Sequence, residues 1–239
     1  MTELDVQTLK QNIQQVQERI DAAAKKAGRS ASDIHLVAAT KMNDAERVRV
    51  AIENGIQIAG ENRVQELLEK YDLHAYDGAS LHFIGTLQSN KIKYLMGKVS
   101  LIQSVSSERL GQLISKEAQK HEICQDVLLE INIGNEASKS GIEPQNLEQT
   151  VANLCKLPGI HIRGLMAIPP IAHVSGGNLH YFDRMRQLFI DISQKKYDNV
   201  SMDYLSMGMS GDFEDAISCG ANMVRVGTAI FGLRPYMTK

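Results

Sequence analysis

The sequence predicts a single α/β domain over residues 1–239: a parallel (β/α)8 TIM barrel preceded by an extra helix within residues 1–28. Three observations lead there. Eight short apolar runs recur along the chain, a helix-like pattern follows each of them, and the first run is not followed by the glycine fingerprint of an open dinucleotide-binding sheet. No composition break, linker or low-complexity stretch divides the 239 residues, a length common for one barrel.

The first element follows from Leu4, Leu9, Ile13, Val16, Ile20 and Ala27, spaced mostly three or four apart. That spacing makes one apolar stripe on a helix, and Gly28 suits its C-terminal cap. Residues 34–40 read as the first strand, and 44–53 as a helix with Asn43 as the expected N-cap. Further strands are expected at 56–59, 81–84, 99–103, 127–133, 160–167, 202–205 and 223–226. The intervening helices fall at about 61–71, 89–96 with Ser89 as cap, 108–120, 144–156 opened by Pro144, 178–194 and 212–219. Pro169 and Pro170 stop the sixth strand, and Ser175-Gly176-Gly177 is the expected mobile loop.

Composition narrows the function classes. Hydrophobic content of 43% and charged content of 23% suit a globular protein with a sizeable core. A formal net charge of -2 provides no field for nucleic acid and no polybasic membrane patch. No apolar run approaches the roughly 20 residues of a spanning helix. The start Met1-Thr2-Glu3-Leu4-Asp5 is acidic, unlike a signal peptide. Cys124, Cys155 and Cys219 lie far apart, which suggests reduced thiols and a cytoplasmic location. The seven histidines show no HExxH or clustered ligand spacing, so no metal is expected.

Lys41 closes the first strand, with its stem in the core and its amine at the edge. Burial disfavours an ammonium, and a desolvated lysine suits Schiff-base chemistry with a carbonyl ligand. A snorkelling lysine with its head in water fits the same position. In such barrels the site lies at the C-terminal strand ends, with phosphate often held by the loops after strands seven and eight. Those loops here are Ser206-Met207-Gly208-Met209-Ser210-Gly211-Asp212 and Arg225-Val226-Gly227-Thr228-Ala229. Both carry small residues whose amides can approach an anion, and Ser210 and Thr228 add hydroxyls. Arg225 stands inside an apolar strand, which fits either an ion pair with Glu130 or a donor aimed into the barrel mouth. Asn62, after the second strand, is placed to touch a ligand. His82, Met166, Met207 and Met209 read mainly as packing, and Ser138-Lys139-Ser140-Gly141 as an exposed basic loop.

These segments carry a family resemblance. Val37-Ala38-Ala39-Thr40-Lys41, Gly60-Glu61-Asn62-Arg63-Val64-Gln65-Glu66, His82-Phe83-Ile84-Gly85-Thr86-Leu87-Gln88-Ser89-Asn90-Lys91 and Glu136-Ala137-Ser138-Lys139-Ser140-Gly141 form the first group. Gly164-Leu165-Met166-Ala167-Ile168-Pro169, Leu205-Ser206-Met207-Gly208-Met209-Ser210 and Val224-Arg225-Val226-Gly227-Thr228-Ala229-Ile230-Phe231-Gly232 complete it. Together they resemble the pyridoxal phosphate homeostasis proteins over nearly the whole chain. The resemblance implies a barrel similar to the N-terminal domain of alanine racemase. It also implies binding of pyridoxal 5'-phosphate (PLP) without an established activity, and a role in vitamin B6 homeostasis and amino-acid and keto-acid balance. By motif, Lys41 is the lysine of the internal aldimine, and Ser210, Gly227 and Thr228 are phosphate contacts. Arg225 is the partner of the pyridine nitrogen, and Asn62 lies near the ring. Thr86 stands where many relatives have proline.

The resulting expectation is a non-catalytic, monomeric carrier that supplies PLP to apoenzymes, with no nucleic-acid or membrane partner. An arginine on the pyridine nitrogen leaves that nitrogen unprotonated and weakens the ring as an electron sink. Racemisation also needs a second acid/base, which alanine racemase takes from a β-rich domain that this chain is expected to lack. A weak amino-acid racemase and a cofactor-free Schiff-base aldolase of sugar phosphates stay open beside it.

Overall fold

The computed structural model describes residues 1–136, 140–172, 174 and 176–232. Ser138 and Lys139 of the expected basic loop, and Ser175 of the expected mobile loop, lie outside the described residues.

Eight strands close into one barrel in sequence order: β1 (His35–Ala39), β2 (Ile58–Glu61), β3 (Ser80–Phe83), β4 (Leu101–Val105), β5 (Gln125–Ile131), β6 (Ile160–Ala167), β7 (Val200–Ser206) and β8 (Met223–Val226). Every neighbouring pair is parallel, and β8 returns to β1 with Val37 opposite Arg225. The expected barrel is therefore present. Parallel strands buried on both faces explain the near-continuous apolar runs. Val37, Leu101, Leu128, Met166 and Met223 form a small cluster inside the barrel. The larger core lies between the strands and the surrounding helices, with Phe83, Ile102, Leu129 and Phe213 fully buried.

The helical layer is α1 (Glu3–Lys26), α2 (Ala45–Glu53), α3 (Val64–Asp72), α4 (Glu108–Lys120), α5 (Leu147–Leu154), α6 (Leu179–Ser193), α7 (Phe213–Ser218) and α8 (Thr228–Phe231). At the start of α1 the Thr2 hydroxyl accepts from the Asp5 amide, and Asp5 accepts in return from the Thr2 amide. Leu9, Ile13, Val16 and Ile20 bury its stripe against α7, α8 and α2. Gly28, with φ +69°, takes the left-handed turn that follows the helix.

Three local expectations are corrected. Asp44, not Asn43, caps α2, its carboxylate accepting from the Arg47 amide. Ser89 opens a short 3-10 turn (Ser89–Tyr94) preceded by Gln88, with no side-chain cap. Pro144 likewise opens a 3-10 turn (Pro144–Asn146) before α5 begins. The strand ends at β2 and β4 also shift forward, to Glu61, which is buried and bonded to Thr40 and Lys70, and to Val105, beyond the buried Ser104.

Candidate functional site

All six residues singled out from the sequence line one cavity of about 390 Å³ at the C-terminal ends of the strands. Lys41, Asn62, Ser210, Arg225, Gly227 and Thr228 come together from β1, β2, β7 and β8. A larger depression of about 720 Å³ opens at the other end of the barrel, around Ser80, Ser100 and Gln125, away from these residues.

Lys41 is placed by a strand whose last three residues, Val37 to Ala39, are buried. The turn beyond it is held by Asn43, whose Nδ2 donates to the Lys41 carbonyl at 3.1 Å. Beside it, the β7 and β8 loops meet. The Ser210 hydroxyl accepts from the amides of Gly227 and Ala229, both at 3.3 Å. Glycine at 227 lets this loop pass close to β1, since a Cβ there would lie 3.3 Å from that of Ala39. Both amides are committed to Ser210, so the donors left facing the cavity for an anion are the hydroxyls of Ser210 and the exposed Thr228.

Arg225 is 4% exposed. Its guanidinium donates to Ser206 Oγ at 2.5 Å and to the Ala167 carbonyl at 2.9 Å. Burial lowers it to about 10, opposed by Glu130 and Asp212, so it stays charged at neutral pH. Arg225 lines the cavity, and Glu130 attracts it through space without a direct ion pair between them among the described residues. Behind it runs a buried chain. Ser206 Oγ donates to Gln103 Oε1 at 2.7 Å, and Gln103 Nε2 lies 3.0 Å from His82 Nδ1. Burial, aided by repulsion from His35, pushes His82 down to about 3, so the ring is neutral and its Nδ1 can accept from the Gln103 Nε2 that faces it. The core reading of His82 holds, as it does for the buried Met166 and Met207, whereas Met209 lines the cavity.

Two buried oxygens in the cavity wall have no hydrogen-bond partner among the described residues: Asn62 Oδ1 and Glu130 Oε2. Such atoms are costly when left unpaired, and these two belong to residues that line the cavity. Burial raises the Glu130 carboxyl, countered by Ser140 and Arg225. Asn62 is fixed from behind by Gly85, where a Cβ would stand 2.2 Å from the Asn62 carbonyl oxygen. Sequence reasoning did not assign Glu130 or Thr86 to the cavity; both sit at strand ends, which was the available signal.

Comparison with known proteins follows the geometry. Residues 4–235 match the family described as alanine racemase, N-terminal domain. The pyridoxal phosphate homeostasis protein of Aquifex aeolicus is 44% identical over 226 residues, covering 95% of this chain and 98% of its own. The chain belongs to the pyridoxal phosphate homeostasis protein family. Among solved structures, a protein of Bifidobacterium adolescentis superposes with a TM-score of 0.92 at 35% identity, covering 97% of both chains. PipY of Synechococcus elongatus, solved with PLP bound, superposes at 0.78 with 29% identity, covering 91% of this chain and 100% of its own. In this member of the pyridoxal phosphate homeostasis proteins, no helix among the described residues is long and apolar enough to cross a membrane. No group of metal-ligating side chains occurs among them either.

Proposed function

We propose that this chain binds pyridoxal 5'-phosphate through Lys41 and holds it in reserve for other proteins, contributing to vitamin B6 homeostasis and amino-acid and keto-acid balance. One observation carries the reading: an amine, a buried cation and an anion cradle, distant in sequence, meet in a single cavity. Its volume of about 390 Å³ suits a small phosphorylated ring. The donors fit as well, and Asn62 Oδ1 and Glu130 Oε2 wait for polar partners. The family name and the PLP-bound PipY support the choice of ligand.

When bound, PLP supplies an aldehyde that a lysine amine captures with loss of water and surrenders to water or another amine. Lys41 is the amine in this reading. Ser210, Gly227 and Thr228 hold the phosphate, and Asn62 contacts the ring. Arg225 has no acceptor and donates to the ring nitrogen, which therefore remains unprotonated. That choice of partner restrains carbanion chemistry and favours storage over turnover. PLP-dependent apoenzymes are the recipients, and the chain acts as a monomer.

The test is a visible spectrum of the purified protein with PLP. The unaltered chain is expected to develop the absorbance of lysine-bound pyridoxal, and Lys41→Ala to lack it. A mutant that keeps the band removes Lys41 from its role. Sustained turnover of alanine or serine by the pure protein would overturn storage in favour of racemisation.

A further inference from the structure

Beneath the cavity, outside its lining, lies a buried ion cluster that the sequence reading did not absorb. Lys70 projects from α3 with its side chain 6% exposed. Its ammonium donates to Glu61 Oε1 at 2.5 Å, to Glu66 Oε1 at 2.8 Å and to the Thr40 carbonyl at 2.8 Å. Glu66 Oε1 also accepts from the Met42 amide. Glu61 is fully buried, and its Oε1 accepts from the Thr40 hydroxyl at 2.8 Å. The residues on both sides of Lys41 therefore end on the same three side chains.

The backbone between those anchors is unusual. Met42 has φ +61°, in the left-handed region that a side chain disfavours. Such a conformation persists only where its surroundings over-determine it. An ion cluster serving stability alone needs its charges to pair with each other. This one spends two of its contacts on the carbonyl of residue 40 and the amide of residue 42. Glu66 and Lys70 stand four apart on one face of α3, and Glu61 ends β2, so the clamp ties the neighbouring barrel unit, β2 with α3, onto the turn after β1.

We propose that Lys70, Glu61 and Glu66 are positioning residues for Lys41, locking the turn that presents its amine to the cavity. The proposal rests on the reading of Lys41 as the amine that captures PLP. It predicts that capture depends on residues that never touch the ligand.

The probe is PLP itself, added to the purified full chain, with the rate of appearance and the half-saturation of the visible band as readouts and thermal melting as the control for folding. Glu66 is the site of choice because its side chain is 19% exposed. Glu66→Leu is expected to slow capture and weaken retention about tenfold, the scale of one lost hydrogen bond to a charged group. Glu66→Gln keeps an oxygen for the Met42 amide and is expected to restore most of the rate, which a general loss of charge or stability would not allow. If Glu66→Leu does not fold, Glu66→Asp, one methylene shorter, carries the test with a slowing of severalfold. An unaltered chain that captures PLP beside a folded Glu66→Leu or Glu66→Asp that captures it equally well overturns the clamp alone. An unaltered chain that does not capture PLP overturns the reading of Lys41 and the clamp with it.

Discussion

At the scale of single residues, the hydrogen bonds behind Arg225 run one way, from the guanidinium through Ser206 and Gln103 to the neutral His82. Gln103 donates to His82 Nδ1 with its amide nitrogen and accepts from Ser206 with its oxygen. The Ser206 proton is then committed to Gln103, and the lone pairs of its oxygen face Arg225. The guanidinium is held by one edge in one orientation. Ser206→Ala removes the middle link and leaves Gln103 Oε1, in a fully buried side chain, without its donor. The expected cost is about 1–3 kcal/mol of stability, read from urea unfolding. A weaker hold on PLP should accompany it, read by titration of the visible band, since Arg225 loses its anchor. A mutant with unchanged stability and affinity would show that the chain orients nothing. Arg225 and Lys41 were legible in the sequence because a charge inside or closing an apolar strand is conspicuous. Gln103 and Ser206 were not, because an uncharged polar residue in a strand gives no sign of which groups it will meet.

The same contrast explains the elements. The limits of β6, β8 and α4 agree with the reading because Pro169, Gly227 and the Ser107 cap punctuate them. The reading ended β2 at Ala59 and β4 at Gln103, beginning the next helix near Glu61 and leaving Ser104 outside the strand. Both are buried, Glu61 through its bond to Lys70 on another element, and no local pattern reports a tertiary partner. Glycines mark the closest approach between elements. At Gly85 the β3 loop presses on the backbone of Asn62, and Gly85→Ala must move one of them. About 1–3 kcal/mol of destabilisation is expected, with weaker PLP binding because Asn62 is displaced. Gly211, where a Cβ would meet nothing within 4 Å, is the matched control. Gly211→Ala should fall within about 0.5 kcal/mol of the unaltered chain in the same unfolding assay. Equal effects at both positions would mean that the Gly85 contact is not what fixes the loop.

At the scale of the whole molecule, closure of the barrel places a titrating group at its centre. β8 pairs with β1, and α1 packs beside the four-residue α8, covering the seam where the ring closes. The interior so sealed holds His82, 5% exposed and lowered from 6.5 to about 3. The folded chain refuses a proton that the unfolded chain accepts below about pH 6.5, so the stabilisation is complete above that pH and falls away as pH drops toward 3. Glu61 and Glu130 act with the opposite sign. Burial raises both, so the folded chain takes up their protons first and gains relative stability as pH falls toward 4.5. The measured curve mixes the two, and a substitution is needed to separate them. His82→Asn retains an oxygen able to accept from Gln103 Nε2 while removing the titration. Between about pH 7.5 and 4.5 the unaltered chain should lose roughly 2–3 kcal/mol more than His82→Asn in urea unfolding. Parallel curves for the two proteins would mean that His82 is not the group through which acid opens the barrel.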